Sequence, residues 1–135
     1  NTKVANILRD YRDYTMICAG VFDDMVATLV LENKEAILER NRQIIEENLA
    51  LMDEWIAKEP KASWIRPASV STSFVKLDVD RPIEVFALEL LQEYGVLVVP
   101  GNRFDKESHV RIGYCCDKEV LQKGLEKLSQ FLNKC

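Results

Sequence analysis

The sequence holds one histidine, His109, and no glycine–x–serine–x–glycine elbow. A hydrolase with an activated serine or cysteine needs a base beside its nucleophile, and a lone histidine next to an apolar strand position serves that chemistry poorly. Glycine-rich nucleotide loops are missing too. No apolar run approaches the roughly 18 residues of a membrane-spanning helix, so the membrane is not an expected partner. Eighteen basic residues stand against 22 acidic ones, a net charge of -4 with no basic block. Nucleic acid requires a concentrated positive surface and is likewise not expected. The opening Asn1–Thr2–Lys3–Val4 lacks the layout of a secretory signal, and any such signal would have to lie upstream. A cytoplasmic protein is the expectation.

The four cysteines are poorly placed for a disulfide scaffold, since Cys115 and Cys116 are adjacent, Cys18 is remote and Cys135 is terminal. They read as reduced thiols. The adjacent pair lacks the Cys-x-x-Cys spacing of a redox centre. His109 stands six residues from Cys115 inside an apparent strand, which does not make a zinc knuckle, and no metal site is expected.

What the chain does have is enough apolar content, 47% of 135 residues, for one good core. From about Asn33, where it or its neighbour can cap a helix, Ile37, Leu38, Ile44, Ile45, Leu49, Met52 and Ile56 recur every three or four residues to about Lys58. The heptad drifts, which argues against a coiled coil. Trp55 reads as an anchor on the sheet or the next loop. Pro60 and Pro67 bound a stiff connection, after which Val75, Leu77 and Val79 alternate with Phe74, Lys76 and Asp78 as a strand. Asp80 offers a cap and Pro82 a first helical turn. Ile83, Phe86, Ala87, Leu90 and Leu91 form the stripe of the next helix, and Gly95 ends it. Val96–Val99 and Val110–Tyr114 read as strands. Asp117 caps a last helix with Leu121, Leu125, Leu128 and Leu132 at helical spacing. The expected fold is α/β: a two-layer sandwich whose small three-stranded sheet, near 71–79, 96–99 and 109–114, is covered by helices starting near 33, 81 and 117. Residues 1–32 form an N-terminal helical segment, near Val4–Arg12 and Asp23–Leu31, ahead of a domain over 33–135.

One arginine falls inside an apolar strand just past the Pro100–Gly101 turn, where Gly95–Val96–Leu97–Val98–Val99–Pro100–Gly101–Asn102–Arg103–Phe104 leads to His109–Val110–Arg111–Ile112–Gly113–Tyr114. A buried or half-buried guanidinium there needs a partner. A bound carboxylate would serve, as would Asp105, Glu107 or a C-terminal carbonyl. In this stretch the sequence resembles the C-terminal small domain of class I and II pyridoxal-phosphate-dependent aminotransferases, in which "gVlvvPG..F" runs into "vRigy". The resemblance extends from Tyr11–Thr15 to Gly124–Leu128.

It implies that Arg111 holds the α-carboxylate of the substrate, that the Gly101 turn brings backbone near it, and that Asn102 and Phe104 sit on the lip of the cleft. Many relatives follow the phenylalanine with glycine, whereas this chain has Asp105 and Lys106, so the path of the loop is left open. Arg103 reads as solvent-exposed, the other option being contact with an acidic substrate side chain. None of Lys3, Lys34, Lys58, Lys61, Lys76, Lys106, Lys118, Lys123, Lys127 or Lys134 lies in the serine-rich setting of the family's cofactor-bearing lysine. The resemblance therefore implies one piece of a longer enzyme, inactive alone, with residues 1–32 at the junction to a missing large domain. The parent would bind pyridoxal phosphate, act on an α-amino acid and a 2-oxo acid, and form a homodimer. This piece would supply no catalytic or cofactor-binding residue. The alternatives are the small domain of a related pyridoxal-phosphate lyase, or a noncatalytic domain that binds a small molecule or a protein partner.

Overall fold

Residues 2–16, 18, 20–68 and 70–134 are described by the computed structural model; the terminal Cys135, read above as a thiol, lies outside them. The chain divides into two compact units, residues 1–38 and 39–135. The first contains α1 (Thr2–Thr15), α2 (Val21–Glu32) and the start of α3 (Lys34–Lys58). Neither α1 nor α2 has a buried residue among those described. The side-chain cap expected from Asn33 is corrected: its Nδ2 donates to the Leu29 carbonyl at 2.8 Å and closes α2, and only its carbonyl, accepting the Ile37 N–H at 3.4 Å, serves the start of α3. A short amide side chain can serve either helix, and the nearer orphan carbonyl takes it.

The second unit carries the sheet. After α3 come β1 (Ala62–Trp64), β2 (Thr72–Leu77), α4 (Ile83–Tyr94), β3 (Val99–Pro100), a 3₁₀ turn (Gly101–Phe104), β4 (His109–Gly113) and α5 (Lys118–Lys134). The sheet has four strands in the order β1-β2-β4-β3, all neighbours antiparallel, where three were expected. The extra strand is the three-residue β1, on the segment read as a stiff connection. It is an edge strand too short for a period-two signal, and it forms because Ala62, Ser63 and Trp64 find Leu77, Lys76 and Val75 opposite them. The expected strand over 96–99 shrinks to Val99–Pro100, which pairs with Arg111 and Val110.

Alternation along β2 and β4 sets which face is covered. Ser73, Val75 and Leu77 are buried, as are Val110 and Ile112, while their neighbours turn outward. Against the inner face pack Leu49, Met52 and Trp55 of α3, Ile83, Phe86 and Leu90 of α4, and Leu121, Leu125, Leu128 and Leu132 of α5. Phe131 joins them with its ring centroid 4.9 Å from that of Phe86. Leu91, expected in the α4 stripe, is 40% exposed. It lies one residue past Leu90 on the rim of the helix, about 100° from the buried line. No side chain caps α4, where Asp80 was expected to; Pro82 occupies the N-cap position and has no N–H to satisfy. Gly95 does end α4, at φ 67°, and donates to the Leu91 carbonyl at 3.0 Å. At α5 the Asp117 carbonyl accepts the Val120 and Leu121 N–H groups.

Two polar links tie the helices to this core. Buried Asn48 of α3 donates through Nδ2 to the carbonyls of Tyr114 and Cys116, each at 2.7 Å, and so fixes the chain where it leaves β4. The Trp55 indole donates to Ser129 Oγ at 2.8 Å, and that hydroxyl donates to buried Glu59 at 2.7 Å. Trp55 is therefore an anchor in the core, tied through its indole to α5. Replacing Asn48 with leucine leaves two interior carbonyls without a donor, at a cost of about 2–4 kcal/mol. Urea unfolding of the chain should show that loss as a lower midpoint with an unchanged slope.

Candidate functional site

The outer face of the sheet is built by the positions that β2 and β4 turn away from the core. Phe74 stands opposite Arg111, and Lys76 opposite His109; on the other side of β4, Arg111 stands opposite Val99. The arginine is thus central in the sheet yet exposed, which corrects the buried or half-buried setting expected from its apolar neighbours. The apolar character of Val110 and Ile112 belongs to the inner face alone.

The turn after β3 folds a lid over this face. Gly101 is buried, and a Cβ placed there would meet the Lys106 carbonyl oxygen and lie 2.5 Å from the His109 carbonyl oxygen. Only glycine allows that approach. The turn is closed by the Lys106 N–H donating to the Gly101 carbonyl at 3.0 Å. Asp105 then adopts φ 56°, a left-handed conformation that glycine takes at least cost and that aspartate tolerates. This resolves the path after Phe104: the loop makes the turn a glycine would make, with an aspartate in it.

The lid brings Phe104 edge-on to Phe74, with centroids 5.6 Å apart, and the Arg111 guanidinium carbon lies 5.1 Å from the centre of the Phe104 ring. A cation over an aromatic face is held in place without being neutralised. Among the described residues no carboxylate lies within ion-pairing distance of Arg111, so neither Asp105 nor Glu107 is its partner. Of the four predicted site residues, the structure brings Arg111 and Phe104 together, and Gly101 shapes the turn behind them. Asn102 is engaged elsewhere: its Nδ2 donates to Glu84 Oε2 at 3.0 Å, and Arg103 pairs with Glu84 Oε1. Arg103 is exposed and already partnered. The Asn102 Oδ1 is enclosed with no hydrogen-bond donor.

Sequence reasoning missed Phe74, His109 and Glu84 here. His109 stacks on Phe74 at a centroid distance of 5.6 Å and an interplanar angle of 26°. Burial, followed by the charges of Lys106 and Lys76, holds its pKa below 6.5. The alternation that exposes Arg111 also exposes His109, but only the register shows that Phe74 lies opposite. Away from this face, burial raises the Tyr114 phenol above 10.0 with Arg66 opposing, and burial, Asp117 and Cys115 raise the Cys116 thiol. Cys18, Cys115 and Cys116 are free. Among the described residues no group of three or more acidic, histidine or cysteine side chains could hold a metal ion. No described helix is long and apolar enough to cross a membrane.

The family model for aminotransferase class I and II matches residues 1–128. The chain belongs to this family. It is similar to a crystal structure of a PLP-dependent aminotransferase from Streptococcus suis, with a TM-score of 0.90 and 66% identity over 99% of this chain and 36% of that one. It is also 28% identical to capreomycidine synthase from Streptomyces vinaceus, over 90% of this chain and 31% of the relative. A third relative, the aspartate/prephenate aminotransferase of Thermus thermophilus, is 37% identical over 52% of this chain and 18% of its own length. The chain thus spans about a third, or less, of the aminotransferases and related proteins it matches.

Gly101→Ala should destabilise this aminotransferase-family chain by at least about 2 kcal/mol, because backbone carbonyls must move to admit the methyl group. Asp105→Gly should leave it unchanged or up to about 1 kcal/mol more stable, since the left-handed residue then carries no Cβ. Thermal unfolding of both variants beside the parent chain checks the pair of signs.

Proposed function

We propose that this chain is the part of a pyridoxal-phosphate-dependent aminotransferase that anchors the substrate's α-carboxylate, and that Arg111 is the anchor. The observation that carries this reading is the state of the guanidinium: exposed, held over Phe104, and without an acidic partner among the described residues. Two parallel hydrogen bonds from its planar fork match a carboxylate as no lysine can. Phe104 and Gly101 hold the lip of the cleft, and Asn102 braces the turn through Glu84.

The reaction exchanges an amino group between an α-amino acid and a 2-oxo acid. Pyridoxal phosphate, when bound, supplies the electron sink. The residues present do not by themselves fit that group: every described lysine is exposed except half-buried Lys61, whose Nζ donates to the Leu132 carbonyl at 2.7 Å. We assign the cofactor-bearing lysine to the remainder of the parent enzyme and read this chain as inactive alone. Residues 33–135 are read as its small domain and residues 1–32 as the junction to its large domain. The exposed Leu8, Phe22, Met25 and Leu31 of α1 and α2 support that junction, because such apolar surface favours a covering partner. A homodimeric, cytoplasmic parent completes the reading.

A second outcome on the same anchor is favoured by the similarity to capreomycidine synthase and to a structure described as a PLP-dependent cyclase. In that case the amino acid would be held in the same way but no amino group would pass to a 2-oxo acid. Product analysis with and without a 2-oxo acid separates the two.

Arg111→Lys in the parent enzyme should leave the absorbance of bound cofactor unchanged while lowering kcat/KM for amino acids by about 10- to 150-fold, the equivalent of one lost charged hydrogen bond. Steady-state kinetics beside the absorbance spectrum measures both. Efficiency within about twofold of the parent, across good substrates, would remove Arg111 from the role.

A further inference from the structure

A second feature of the outer face lies one rung along the sheet from Arg111. Ser63, Trp64, Ile65, Phe74, Lys76, Lys106 and His109 line a cleft of about 400 Å³. Phe74 is its half-buried apolar member on this face, stacked on His109, whereas Trp64, opposite Val75, packs against the core. The polar members are two lysines, an imidazole and a serine, with no acidic side chain among them. Neither Lys76 nor Lys106 has a carboxylate within 4.0 Å among the described residues. The His109 Nδ1 is enclosed and has no hydrogen-bond partner. Uncompensated positive charge in a concave site beside the stacked Phe74 and His109 rings favours an anion.

We propose that this cleft is an anion subsite for a carboxylate or phosphate group. Lys76 and Lys106 supply the charge, and the stacked rings of Phe74 and His109 form the apolar floor beside it. Its position gives it a use. Positions two apart on a strand are about 7 Å from each other, so a carboxylate on Arg111 and an acidic group in the cleft fit the two ends of one small dicarboxylate. This second step rests on the reading of Arg111 as an anchor. It would make the parent selective for an acidic amino acid or 2-oxo acid; a separate inorganic anion is the other source of the same chemistry.

His109 is the only histidine in the sequence, so its ring protons give one resolved NMR titration that reports on the cleft. The 135-residue chain would be titrated in pH alone, then with inorganic phosphate, with glutarate and with acetate. Phosphate and glutarate should each move the His109 midpoint upward by about half a pH unit, because a nearby anion favours the imidazolium, and acetate should do much less. In Lys76→Gln/Lys106→Gln the anion-free midpoint should itself rise toward 6.5, two causes of its depression being gone, and the response to phosphate and glutarate should vanish. No response in the parent chain, or an equal response in the double variant, overturns the subsite. Arg111→Gln separates the two readings. Loss of the glutarate effect with the phosphate effect intact supports a bridging dicarboxylate. If both effects persist undiminished, the subsite stands and the bridge to Arg111 is overturned.

Discussion

The structure depends on β4 being paired on both edges. Hydrogen-bonded to β2 on one side and β3 on the other, it cannot slip by one residue without exchanging its two sets of side chains. Val110 and Ile112 then hold the register from the inside, buried among α3, α4 and α5. The outward positions of His109 and Arg111 are consequences of that burial. A binding face placed in this way is rigid because the core behind it is rigid, and His109 and Arg111 keep the spacing that the strand gives them.

Two devices at the ends of β4 make this pairing possible. At its start the close approach of Gly101 to the Lys106 and His109 carbonyls folds the turn back tightly enough for two residues of β3 to pair. At its end the Tyr114 and Cys116 carbonyls are taken by Asn48, which links the exit of the strand to the long helix. Both are backbone constraints enforced by a single residue type, and both act on carbonyls within five residues of the arginine they position. The electrostatics follow the same division. Glu84 is spent on Asn102 and Arg103 at the outer side of the turn, which leaves the sheet face itself without a nearby carboxylate for Arg111.

Much of this was legible in the sequence because it is periodic. The stripes of α4 and α5, the alternation through Val75 and Leu77, and the stop at Gly95 are local statements of burial, and the structure repeats them. What was not legible depends on register and on partners distant in sequence. Three-residue β1 has no period of its own and exists only because β2 offers it an edge. Asn33 carries the same side chain whether it opens one helix or closes another. Arg111 was legible as a strand residue but not in its depth, since an apolar strand buried on one face reads like one buried on both. His109 could not be matched to Phe74 before the antiparallel pairing of β2 with β4 was known.

The two N-terminal helices bury nothing among their described residues, and this bears on how substitutions there are to be interpreted. A position such as Phe22, 84% exposed, contributes little apolar burial to this chain's own folding. Replacing it by serine or lysine should therefore be nearly silent in the isolated polypeptide. Any selection for a large apolar residue at that position across related organisms would then have to act through something other than the stability of these 135 residues. Variation along α1 and α2 would record the history of an external surface, whereas variation at Val110 or Leu128 would record only the packing of the core.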